Sequence, residues 1–214
     1  MNIMLMPFLL IDKPKGISSF RALQTLQDRL GKKKMGYAGT LDPLASGLLI
    51  VATEHETKQL HNFLKLPKEY IAEIRLGVAT ETGDDEGVQR EKRPVPNRTE
   101  KEIEKILRGM TGKIDLPVPL YSAVKKKGKP LYRYARKGKS VELPVKTMEI
   151  MEGELLEKKE ETLIIRWKVG SGTYIRTLAE ELGKRLGTVA MVANLRRTAI
   201  GDFSIYQAKL LEDF

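Results

Sequence analysis

Apolar positions along the chain follow two rhythms, and each predicts its own kind of element. Residues 5–12 are almost continuously apolar and close on Lys13-Pro14-Lys15-Gly16, the pattern of a buried strand running into a turn. Beyond the turn, Phe20, Leu23, Leu26 and Leu30 recur near one helical face, with Ser18 or Ser19 as N-cap and Gly31 as the stop. Residues 36–48 are rich in glycine and small side chains and predict a loop leading into an apolar stretch. A strand is predicted over 70–76 and a turn over 83–87. Thr99 and Glu102 form a capping box ahead of a helix that carries Ile103, Ile106 and Leu107 and stops at Gly109. Residues 115–130 read as a proline- and lysine-rich connection, and 131–137 as a short helix ending at Gly138. Strands are predicted over 145–151 and 162–169, and a last one near 196–205. Between them, Ile175, Leu178, Leu182 and Leu186 mark a helix over 174–186, followed by Gly187. Strands and helices mix without a strict strand–helix–strand repeat, which predicts an α+β fold rather than a doubly wound sheet. No internal repeat and no clear linker divides the chain, so residues 1–214 are expected to form a single domain.

Composition narrows the chemistry. Hydrophobic residues make up 41% of the chain and charged residues 31%, the balance of a folded protein with a sizeable core. There is no cysteine, which excludes disulfides, thiolate metal sites and a cysteine nucleophile. Only His55 and His61 are available for imidazole chemistry, and neither is assigned a role. No metal and no cofactor is expected. No apolar run approaches the ~20 residues of a membrane span. The apolar N-terminus lacks the basic region and cleavage site of a signal peptide, so a cytoplasmic location away from membranes is expected.

Charge adds a direction. Thirty-eight Lys and Arg against 28 Asp and Glu give a net charge of +10, which favours polyanionic partners. Residues 125–139 hold eight basic side chains and no acidic one, among them Lys125, Lys126, Lys127, Arg133 and Lys139. Tyr132 and Tyr134 interleave with these cations, and rings beside phosphate-binding charges suit RNA. Lys32, Lys33 and Lys34 form a second, smaller cluster.

Two segments are built for chemistry. In Gly39-Thr40-Leu41-Asp42-Pro43-Leu44-Ala45-Ser46-Gly47 a carboxylate sits in a stiff loop. Pro43 fixes its own φ and biases Asp42 away from helix, while Gly39 and Gly47 allow another backbone to approach closely. From spacing alone the alternative is a plain turn, or an Asp42 that caps a helix. In Gly172-Thr173-Tyr174-Ile175-Arg176-Thr177 an arginine stands in the first turn of a helix, where the dipole opposes it. Arg176 is thus expected to face a carboxylate or a phosphate, the alternative being a surface position. Tyr70 would by default be core, and Leu195-Arg196-Arg197 packing plus surface charge.

Taken together, the segments resemble the TruB family of tRNA pseudouridine synthases. The likeness runs in order along nearly the whole chain. It begins with Leu10-Ile11-Asp12-Lys13-Pro14-Lys15-Gly16, continues through the Asp42 segment and Lys68-Glu69-Tyr70, and reaches Leu76-Gly77 with Thr80, Thr82, Asp84 and Gly87. Pro119-Leu120-Tyr121-Ser122-Ala123-Val124-Lys125, Gly128-Lys129-Pro130-Leu131-Tyr132, the Arg176 segment and Leu195-Arg196-Arg197 complete it.

The resemblance implies a pseudouridine synthase fold, a mixed and mostly antiparallel sheet flanked by helices, with the basic segment around 120–140 as an insertion that clasps RNA. It implies isomerisation of a T-loop uridine of tRNA, at position 55 by tRNA convention, to pseudouridine without a cofactor. Asp42 would be the catalytic carboxylate, Arg176 its partner, and Tyr70 a ring stacked on the extruded uracil. Tyr174 and Leu195 would line the base pocket with Gly39 and Thr40, and Lys13 would brace the loop. The partner would be the T-arm of tRNA and the protein a monomer. The alternative is a non-catalytic RNA-binding or RNA-chaperone protein on the same fold. The chain departs from the family twice. Tyr37, expected to bind the substrate by stacking on RNA, stands where the family usually has histidine, and the C-terminal PUA-like domain usual in bacterial members is expected to be absent.

Overall fold

The computed structural model describes residues 8–31 and 34–214. Residues 5–7 of the first predicted strand, and Lys32 and Lys33, lie outside the described residues. The chain divides into two units, one made of residues up to Ile71 together with Leu195–Phe214, the other of Ala72–Asn194.

In the first unit, β1 (Phe8–Lys13) leads to α1 (Ser19–Leu30), β2 (Met35–Ala38) and β3 (Ala45–Thr53). A 3₁₀ turn over Glu54–Gln59 and the short α2 (Leu60–Leu64) then precede β4 (Lys68–Leu76), which runs on into the second unit. β3 pairs antiparallel with both β1 and β2. Side chains on adjacent strand positions point to opposite faces, so the apolar run of β3 feeds two cores at once. Leu49 and Val51 join Ile11, Leu23 and Leu26 on the α1 side, while Leu48 and Ile50 join Leu10, Ala38, Phe63 and Ile200 on the other. Burial on both faces explains why these strands read as continuous rather than alternating apolar runs. Ser18 is the N-cap of α1, its hydroxyl accepting the Arg21 N–H, and Gly31 closes the helix in the left-handed region. The buried stripe is Ser19, Ala22, Leu23 and Leu26, a helical repeat that leaves Phe20 outside at 58% exposure. That corrects the expected apolar face: Ser19 occupies the inward position that Phe20 was assigned.

The second unit carries β5 (Val78–Thr80), β6 (Gln89–Lys92), α3 (Glu100–Arg108) and β7 (Gly112–Pro117). The hairpin β8 (Lys125–Lys126) and β9 (Lys129–Pro130) follows, with α4 (Leu131–Ala135), β10 (Val145–Lys158), β11 (Thr162–Val169) and α5 (Ile175–Leu186) after it. β10 pairs antiparallel with β7 on one side and β11 on the other. It runs well past the predicted 151 because Glu152, Glu154 and Glu157 leave it on the polar side of the pleat, with Arg166 paired to Glu154 across the strands. The Thr99–Glu102 capping box is present at α3 as predicted. The Ile175, Leu178, Leu182 and Leu186 stripe of α5 is buried, also as predicted.

β12 (Ala190–Ile200) starts in the second unit and ends in the first, followed there by β13 (Phe203–Ser204) and β14 (Lys209–Leu210). The last strand thus begins earlier than expected, and the turn at Gly201 ends it. β12 is parallel to β3, and β14 is parallel to β1, against a majority of antiparallel pairs. The expected α+β architecture with a mixed, mostly antiparallel sheet is what forms.

Candidate active site

The loop over residues 39–44 joins β2 to β3, and Asp42 stands half-buried within it. A strand follows, not a helix, so Asp42 is no helix cap. Several contacts hold the loop around it. Ser19, buried at the start of α1, receives the Leu41 N–H at 2.8 Å and donates its hydroxyl to the Leu41 carbonyl at 3.1 Å. The Pro43 carbonyl accepts the Gly16 N–H at 2.8 Å, and the Asp42 carbonyl accepts the Ala45 N–H. Lys13 is fully buried and spends its ammonium on the Pro14 and Ile17 carbonyls, stiffening the neighbouring turn from within. Gly39 (φ +72) and Gly47 (φ +108) take conformations that side chains resist, and both lie against Arg197. Thr40 is exposed.

Other predicted residues of this unit lie on its strands. Tyr70 is half-buried on β4, two residues beyond Lys68. The buried Lys68 ammonium donates to the carbonyls of Phe63 and Leu64 at the end of α2 and of Leu66 just beyond it. Burial, with the Arg197 charge adding to it, lowers the Lys68 pKa to about 8. Leu195 is buried on β12 opposite Ala45. Tyr37 is half-buried on β2, its ring against the core cluster on the α1 side.

In the second unit Arg176 is buried, its side chain only 8% exposed, which rules out the surface reading. It donates to the Thr82 carbonyl at 2.7 Å and the Tyr121 carbonyl at 3.1 Å, and stands 3.6 Å from the Asp84 carboxylate, itself 5% exposed. Asp84 in turn accepts the Thr82 hydroxyl and the Glu86 N–H, and its backbone carbonyl takes the Thr80 hydroxyl. The turn at 83–87 is therefore a bracket for the arginine. The sequence marks it as a turn and places Thr80, Thr82 and Asp84 in the family likeness, but gives these residues no role. The available signal was the Thr80, Thr82, Asp84 spacing, two hydroxyls and a carboxylate on alternate positions. One turn along α5, burial pushes Glu180 above the usual carboxylate range, with Arg90 and Arg176 pulling it back. Tyr174 is half-buried as the N-cap residue of α5.

The basic segment forms a tight hairpin and a short helix. Lys127 (φ +49) and Gly128 (φ +74) make its two-residue tip, the pair of left-handed positions that a type I′ turn requires. Lys125, Lys127, Arg133 and Lys139 are exposed. Lys126 differs, because its ammonium is held by the carbonyl and carboxylate of Glu142. Tyr134 donates its hydroxyl to the Lys126 carbonyl, and the Arg136 guanidinium lies over the Tyr132 ring. His55 and His61 are exposed. Among the described residues no group of three or more His, Asp or Glu is placed to hold a metal ion, and no helix is long and apolar enough to cross a membrane.

The chain is similar to known proteins in both sequence and fold. A profile described as "TruB family pseudouridylate synthase (N terminal domain)" matches residues 27–175, and one described as "tRNA pseudouridylate synthase B C-terminal domain" matches residues 176–214. The tRNA pseudouridine synthase B of Aromatoleum aromaticum is 44% identical over 203 residues, 95% of this chain and 66% of that protein. The protein of the same name from Desulfotalea psychrophila is 44% identical over 205 residues, 93% of this chain and 83% of that one. The chain thus spans 66% of the length of the first relative and more of the second. Among solved structures, a chain of a Cbf5-Nop10-Gar1 complex matches with a TM-score of 0.76 at 29% identity, over 96% of this chain and 52% of that chain. A chain of an H/ACA RNP bound to a substrate RNA containing 2′-deoxyuridine matches with a TM-score of 0.73 at 26% identity, over 96% of this chain and 51% of that chain.

Proposed function

The chain belongs to the TruB family of pseudouridylate synthases, and from that premise we propose that it converts a T-loop uridine of tRNA to pseudouridine, acting in the cytoplasm as a monomer. The observation that carries the reading is the braced carboxylate: Asp42 rides on a loop tied down at Leu41 and Pro43, the arrangement expected where one side chain must be presented to a large ligand. A binding module would need only its basic surface.

The reaction is an isomerisation and balances without a cofactor. The C1′–N1 bond breaks, the uracil turns, and C5 bonds to C1′, while the proton on C5 leaves and N1 gains one. Asp42 supplies the carboxylate for the covalent or proton-handling step. Arg176 is preset by Asp84 and two carbonyls, so its planar fork needs little reordering to steady an anionic partner. Tyr70 stacks on the base extruded from the RNA, an extrusion that costs a few kcal/mol. Tyr174, Leu195, Gly39 and Thr40 bound the base, and Lys13 keeps the adjoining turn in shape. The exposed cations Lys125, Lys127, Arg133 and Lys139 take the phosphates of the T-arm.

The test is incubation with an unmodified tRNA transcript, followed by mapping of pseudouridine. A single modified T-loop position is the expected result. Tight tRNA binding without any pseudouridine would replace the enzyme with a binding protein on the same fold.

A further inference from the structure

We propose that Arg197 is the positioning residue of the Asp42 loop, a buried guanidinium that ties the two ends of residues 39–47 together and so sets the direction of the carboxylate. The inference rests on the assignment of Asp42 to the chemistry and adds what keeps that side chain in place.

Arg197 lies on β12 with 1% of its surface exposed. Its Nε donates to the Leu48 carbonyl at 2.8 Å and its Nη2 to the Gly39 carbonyl at 2.8 Å. Gly39 follows β2, and Leu48 lies just beyond Gly47 on β3. The fork therefore bridges the two strands at the neck of the loop that carries Asp42. The backbone of Arg197 grips the same neck from below, because it pairs in register with Gly47. A Cβ on Gly47 would come within 2.2 Å of the Arg197 carbonyl oxygen and 2.7 Å of its nitrogen, and one on Gly39 within 3.4 Å of Nη1. Gly47 is thus fitted to this residue by close approach, whereas Gly39 makes ordinary contact with it and owes its identity to its φ of +72.

Packing alone does not call for a cation here. A buried charge facing neutral carbonyls is a costly way to fill space, and a second buried cation, Lys68, adds its repulsion. A leucine or methionine would fill the volume without that cost. What an aliphatic chain lacks is a rigid fork whose nitrogens reach two carbonyls on different strands, and lysine lacks it too.

The experiment compares Arg197→Lys with wild type in single-turnover pseudouridine formation at saturating enzyme, together with tRNA affinity, thermal melting and hydrogen exchange of the 39–47 amides. Phe203→Ala, on β13 and packed against the core cluster of Leu10, Ile50 and Phe63, serves as a destabilised control. The expected result for Arg197→Lys is a chemical rate lower by about 100-fold, the effect of a misplacement of about 1 Å. Affinity should stay within about threefold, as for uniform binding left intact, and amide exchange should quicken across the loop. Phe203→Ala should melt earlier yet keep its chemical rate. An unchanged rate in Arg197→Lys, an equal loss of affinity and rate, a rate loss shared by Phe203→Ala, or unchanged loop exchange would each overturn the proposal. A wild-type protein that forms no pseudouridine would defeat the assignment of function instead, and loop exchange in Arg197→Lys would still decide whether the clamp exists.

Discussion

Asp42→Asn keeps the size of the side chain and removes its charge and nucleophilicity. Pseudouridine formation is expected to fall below detection while tRNA binding stays within a few fold, as measured by single-turnover assay and filter binding of the same preparation. Appreciable turnover by the pure variant would remove Asp42 from the mechanism. Tyr37 is a subtler case, because its ring rests partly against the core cluster of Ile11, Leu23 and Val51. A histidine keeps an aromatic face there, so Tyr37→His is expected to change the chemical rate little near neutrality. If the ring also packs on a base, Tyr37→Ala should forfeit ~1–3 kcal/mol of stacking along with some core packing, and so weaken productive binding and melt earlier. A large gain in chemical rate for Tyr37→His would overturn the stacking account. At this scale the sequence disclosed which residues are unusual, not what they touch. Arg176 announced itself by opposing a helix dipole, but its carboxylate neighbour Asp84 lies ninety-odd positions earlier and is joined to it only by folding. A still longer separation, 158 positions, hid the meeting of Arg197 with Gly39.

Among elements, those with a local signal were readable and those set by pairing were not. The caps of α1 and α3 and the stripe of α5 follow from nearest neighbours along a helix, so the pattern locates them well. The ends of β10 and β12 depend on partner strands, and there the reading fell short. The basic hairpin gives a prediction proper to an element. Replacing Lys125, Lys127 and Lys139 with glutamine should weaken tRNA binding and flatten its dependence on salt, by about 0.7–0.9 of a log unit in slope for each phosphate left without its cation. Lys126→Gln should leave that slope nearly unchanged, since Glu142 already engages this ammonium. Titrations at several salt concentrations distinguish the two. An equal effect of Lys126→Gln would mean that the Glu142 pair opens when RNA arrives.

For the molecule as a whole, fold class was accessible because continuous apolar strands and amphipathic helices constrain layers, whereas the division into two units runs through the middle of β4 and β12 and leaves no linker to read. Global stability should carry the mark of Lys68. Its folded pKa of about 8 lies below the ordinary 10.5, so between those values the unfolded chain holds the proton and the folded chain has released it. Stability contributed by this site therefore rises as pH climbs through that window, with a slope of at most about 1.4 kcal/mol per pH unit. Urea unfolding of wild type and Lys68→Met across the window should show the difference between them shifting in favour of wild type as pH rises. A pH-independent difference would mean that the three carbonyls hold Lys68 protonated throughout.

If the tip of the basic hairpin takes RNA phosphate as proposed, folding and recognition favour different residues there. Lys127 adopts a left-handed backbone conformation that asparagine enters more readily, so folding by itself would select asparagine ahead of Gly128. Lys127→Asn should accordingly steady the hairpin while it weakens tRNA binding, two readouts moving in opposite directions from one substitution. The identity of that residue would then be chosen by the nucleic acid, and a directed-evolution experiment selecting for heat resistance alone should lose the lysine first.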